Sequence, residues 1–159
     1  MRKFLISVAA SSMMASSAFA APHDPLIVWQ GGATITAVTA ACGAGSQVGN
    51  LLQSVYRPRL DPAEPASGLS LIGPRSASSF LRTSGNDQMR GAGTYAGTWL
   101  SPRVTKGSGT NTGAYSLTIT PSVIAATTPF VTIRGTIKNF QNTVGCNLTF
   151  RGSYTLRPN

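Results

Sequence analysis

Three stretches toward the C-terminus alternate apolar and polar residues with a period of two. Tyr115-Ser116-Leu117-Thr118-Ile119-Thr120, Val131 to Lys138 and Leu148 to Leu156 each set β-branched or aromatic side chains on one face and hydroxyls or cations on the other. That is the pattern of a half-buried strand. Weaker runs fall at 33–41, 48–57, 68–73, 77–83 and 93–100, the last with Tyr95, Gly97 and Trp99 on one face. Breakers separate them: Pro58 to Pro65, Gly85-Asn86-Asp87, Gly107-Ser108-Gly109 and Pro121. No segment after residue 20 sustains a helical period. The expectation is an all-β fold, a single antiparallel β-sandwich or small β-barrel of about 7–8 strands.

The parity of the last two strands restricts their register. Val131, Ile133 and Ile137 must share a face with Leu148, Phe150 and Tyr154, and a one-residue slip would turn one set to solvent. A four-residue loop, Gln141 to Val144, pairs Phe140 with Gly145, sets Ile137 against Leu148 and lays the Phe150 ring over Gly135. It also places Arg134 opposite Arg151, a like-charge pair that destabilises a sheet unless an anion sits between the two. The competing register, slid by two, sets Arg134 against Ser153 and removes the repulsion.

The N-terminus changes the picture of where the chain goes. Met1-Arg2-Lys3, the apolar run Phe4 to Ala10 and Ala18-Phe19-Ala20 read as a signal peptide over 1–20. Its apolar run is too short for a transmembrane helix. Residues 21–32 then form a partly ordered N-terminal segment, and 33–159 a single β domain of a periplasmic or secreted protein. Export makes Cys42 and Cys146, the chain's two cysteines, a disulfide joining the first and last strands. Cys146 shares parity with Leu148, Phe150 and Tyr154, so it should face the core.

Charge adds a candidate chemistry. Thirteen Lys and Arg against four acids give +9; Arg2 and Lys3 fall in the leader, which leaves eleven against four, or +7. Charged residues are 11% of the chain, too few for the solvated faces of long helices. Arginine's planar fork suits carboxylate, sulfate or phosphate. Arg134, Lys138 and Arg151 lie on the polar faces of the last two strands among threonines and serines, able to contact an anion or a sugar. Arg57 and Arg59, around Pro58, form a second basic cluster whose neighbours Asp61 and Glu64 could neutralise it. Scattered cations and the lack of an RNA-binding motif argue against nucleic acid as partner.

Catalysis finds little to work with. The single histidine, His23, lies three residues past the leader, so a nucleophile lacks a positioned imidazole. No zinc-ligand spacing or phosphate-binding glycine loop is present, and no cofactor is implied. The expectation is a non-catalytic binding or envelope-associated domain with an anionic or carbohydrate partner. Its rivals are a small hydrolase built on Asp61, Glu64 or Asp87 and an eight-stranded outer-membrane barrel.

Overall fold

The computed structural model describes residues 27–44, 46–60, 67–73, 78–83, 89–100, 108–140 and 143–157, with backbone alone at 78–83, 96–100 and 108–114. Eight strands follow one another: β1 (Val28–Val38), β2 (Leu51–Arg57), β3 (Ser67–Ile72), β4 (Ser78–Thr83), β5 (Ala92–Leu100), β6 (Ser108–Thr120), β7 (Phe130–Ile137) and β8 (Leu148–Arg157). Each pairs antiparallel with the next, and β1 returns to pair with β8, so the sheet closes into an up-and-down barrel. Closure removes the free edges that an open sheet would present.

Alternation decides which side chains fill the barrel. Trp29, Ala33 and Ile35 of β1, Tyr56 of β2, Leu117 and Ile119 of β6, Ile133 and Ile137 of β7, and Phe150 and Tyr154 of β8 all point inward and are buried. An eight-stranded barrel is just wide enough for its own side chains to fill. Each large apolar side chain so buried stabilises the fold by about 1.5–3 kcal/mol. Three inward glycines make room for rings. A Cβ on Gly135 would lie 2.7 Å from the Phe150 ring, one on Gly93 2.7 Å from the Tyr95 hydroxyl, and one on Gly152 2.5 Å from that of Tyr154. The rings take the volume these positions leave empty.

The inward polar tips of Trp29, Tyr56 and Tyr154 find partners, as buried tyrosine and tryptophan require. Tyr154 and Ser54 share a hydrogen bond of 2.8 Å between their hydroxyls, and Ser54 Oγ also meets the Ser70 carbonyl. At the end where β1 begins, connecting segments close the barrel. Trp29 Nε1 donates to the Thr128 carbonyl at 2.8 Å, and the Tyr56 hydroxyl donates to the Met89 carbonyl at 2.7 Å. Met89 and Ile124, both from connections between strands, are buried over that end.

The opposite end carries the covalent closure. Cys42 lies in a 3-10 turn (Ala40–Cys42) just after β1, Cys146 two residues before β8, and they form a disulfide with Cα atoms 4.4 Å apart. The bond therefore ties segments flanking the first and last strands, with Cys146 fully inside. Thr39 reinforces the same seam. Its Oγ1 donates to the Gly145 carbonyl at 2.6 Å and accepts from the Asn147 N–H at 2.8 Å.

The β7–β8 register is the first of the two expected: Ile137 faces Leu148, Gly135 faces Phe150 and Arg134 faces Arg151. The connecting loop differs. Strand pairing stops at Ile137 and Leu148, and Phe140 donates its N–H to the Cys146 carbonyl at 2.7 Å instead of pairing with Gly145. Asn139, in the left-handed region at φ 50°, turns the chain off the strand. Three strand starts also differ by three residues or more. β1 starts at Val28 rather than 33, because Gly31 and Gly32 mask its alternation while allowing close strand contact. A Cβ on Gly31 would collide with the Ser153 carbonyl. β2 starts at Leu51 rather than 48, after a turn through Gly49 at φ 90°. β6 starts at Ser108, where the sequence reads as a glycine-rich loop, since Ser108 to Gly113 carry no apolar alternation.

Candidate functional site

The outer face of β7 and β8 is built by the same alternation that fills the core. Outward pairs run along the two strands in order: Thr136 with Thr149, Arg134 with Arg151, Thr132 with Ser153, Phe130 with Thr155. The flanking strands extend the rows, with Thr34 of β1 beside Arg151 and Thr118 of β6 beside Arg134. Thr136 and Thr149 share a hydrogen bond of 3.2 Å between their hydroxyls. The result is a sheet face of hydroxyls around two arginines paired across the ladder.

Electrostatics sets this pair apart. Arg134 and Arg151 are both exposed and sit directly across the ladder from each other. The four acids, Asp24, Asp61, Glu64 and Asp87, all lie outside the described residues. Among the described residues, then, no carboxylate side chain faces the two arginines. Opposed like charges on neighbouring strands destabilise by a few tenths to about 1 kcal/mol, and a bound anion reverses that sign. Lys138 is exposed in the turn just past β7, so it stands beyond the strand face and not in its row. Arg157 ends β8 and donates Nε to Gln30 Oε1 at 3.1 Å.

Two depressions mark the outside of the barrel. One of about 400 Å³ lies over β1, β8 and β7, with Gln30, Phe130, Thr132, Ser153 and Thr155 among its lining. Phe130 is 68% exposed there. The other, about 480 Å³, lies against Gly31, Gly32, Leu52 and Ile72.

The second basic cluster lies at the Met89 end. Arg57 ends β2, Arg59 follows it, and Arg90 Nη2 donates to the Arg59 carbonyl at 2.6 Å. The Nε atoms of Arg57 and Arg90 are buried and have no hydrogen-bond partner among the described residues. Sequence spacing does not reveal Arg90 as a member, since only the closed barrel brings it to a residue 31 positions earlier. Phe130 escapes notice too, because it stands one residue before the alternating run that begins at Val131. Asp61, Glu64 and Asp87, the carboxylates a hydrolase would need, lie outside the described residues, as does His23. No group of three His, Cys, Asp or Glu able to hold a metal occurs among the described residues.

Fold and site together define a disulfide-closed, eight-stranded up-and-down barrel whose described inward side chains are largely apolar, with hydroxyls and cations on the outer face of β7 and β8 and exposed Leu51, Val55 and Ile72 on that of β2 and β3. Compared with protein-family models, curated proteins and solved structures, the chain matches none of them. Among the described residues no helix is long and apolar enough to cross a membrane. The Cys42–Cys146 bond belongs to an oxidising, non-cytoplasmic setting.

Proposed function

We propose that this protein is an exported, non-catalytic binding domain that recognises an anionic partner on the outer face of β7 and β8, through Arg134 and Arg151. The observation that carries this reading is the register: it opposes two arginines where a shift of two residues would have paired Arg134 with Ser153. The leader-like residues 1–20 and the disulfide support export to the periplasm or beyond. The outer face of β7 and β8 supports an aqueous setting. Its outward positions 132–136 and 149–155 hold threonines, a serine and arginines, where a lipid-facing barrel would turn an apolar band to the bilayer.

Binding to an immobilised polyanion tests the site. Replacing Arg134 and Arg151 together by Thr should weaken binding at least tenfold and flatten its salt dependence. Replacing Arg57 and Arg59 should weaken it less. Equal losses from the two pairs would mean that net charge, not a site, attracts the ligand, and would overturn the proposal.

A further inference from the structure

The rows next to the arginines name the class of ligand. Resting on the reading of Arg134 and Arg151 as an anion-binding pair, we propose that the ligand is an acidic saccharide, with its carboxylate or sulfate on the arginines and a sugar ring against Phe130. Three consecutive outward pairs carry the inference: two cations, then Thr132 with Ser153, then Phe130 with Thr155. They change along the strands from charge to hydroxyl to aromatic ring. At the rise of an extended strand, Phe130 and Arg134 stand about 13 Å apart along the backbone, the reach of a short oligosaccharide.

Each row offers what one part of such a ligand needs. A pyranose has an apolar C–H face and a rim of hydroxyls. Phe130, 68% exposed, presents a ring at one end of a depression of about 400 Å³. An aromatic ring so exposed gives up contact with water on gaining a partner, which favours an apolar face over another polar chain. The Thr132 and Ser153 hydroxyls can each donate and accept, matching sugar hydroxyls that do both. Gln30 lines the same depression beside Thr155. Its Oε1 accepts from Arg157 Nε, which turns its amide N–H groups to other acceptors. A polyphosphate or an acidic peptide would use the arginines but would leave the ring unoccupied.

Three probes and three variants test this: dextran sulfate, uncharged dextran and inorganic polyphosphate, each titrated against the wild-type protein, Phe130→Ala, Phe130→Trp and the Arg134→Thr/Arg151→Thr double variant. The wild type should bind dextran sulfate and polyphosphate, and dextran only weakly. Phe130→Ala should weaken dextran sulfate about five- to tenfold and leave polyphosphate unchanged, while Phe130→Trp should tighten dextran sulfate. The double variant should lose at least tenfold against both polyanions. If Phe130→Ala leaves dextran sulfate binding intact, or weakens both polyanions alike, the saccharide inference is overturned and the anion-binding pair still stands. A double variant that binds both polyanions as the wild type does would overturn the parent reading, and this inference with it.

Discussion

Tyr154 keeps its hydroxyl inside the barrel, bonded to Ser54, and burial pushes its pKa from the ordinary 10.0 up to about 12, with the Ser54 hydrogen bond opposing the shift. Burial raises Tyr56 further, opposed by the positive charge of Arg90. Below pH 10 both folded and unfolded chains hold these protons, and stability does not depend on them. Between about pH 10 and 12 the unfolded chain releases the Tyr154 proton and the folded chain keeps it, so stability falls by on the order of 2–3 kcal/mol. Urea midpoints should stay level from pH 7 to 9.5 and drop above 10, and Tyr154→Phe should shallow that drop. A slope unchanged in Tyr154→Phe would place the titrating group elsewhere. Gly135 offers a second test at this scale. A methyl there would lie 2.6 Å from Leu117 Cδ2 and 2.7 Å from the Phe150 ring, so Gly135→Ala should destabilise by about 1–3 kcal/mol through overpacking. Thermal unfolding measures it, and a neutral result would mean that the ring can move aside.

The β7–β8 hairpin shows what alternation can and cannot convey about an element. Parity alone restricts the register to every second residue, and Gly135 needs a ring across from it, which selects the pairing with Phe150. The end of the hairpin was not legible. Asn139 leaves the strand, and the Cys146 carbonyl takes the Phe140 N–H, because the disulfide seam competes with the ladder for the same backbone groups. The start of β1 was hidden for a related reason. Gly31 and Gly32 carry no side chain to alternate, yet the tight approach to Ser153 is what makes glycine necessary at 31. The seam itself gives the prediction. The bond spans 104 residues of chain and holds the two segments that close the barrel. Changing Cys42 and Cys146 together to Ala should therefore lower stability by about 2–5 kcal/mol, measured by urea unfolding. A loss below about 1 kcal/mol would mean that the β1–β8 ladder closes the barrel unaided.

At the scale of the whole molecule, the strand pattern was legible where strands keep one rule, apolar inward and polar outward, most plainly in β7 and β8. The candidate site was legible only in part. Arg134 and Arg151 follow from register, but Phe130, Gln30 and Arg90 gain their neighbours from closure and from contacts between residues far apart in the chain. On the proposed reading, the barrel tolerates two opposed arginines because an anion binds between them. The most direct measurement is a double-mutant cycle on stability, with Arg134→Thr, Arg151→Thr and both, at low salt with and without saturating dextran sulfate. Without the polyanion, each single change should stabilise by a few tenths to about 1 kcal/mol, and the second should add little, since the repulsion is already gone. With the polyanion, each single change should destabilise. A coupling energy that keeps its sign and size when the polyanion is added would mean that no anion bridges the two arginines.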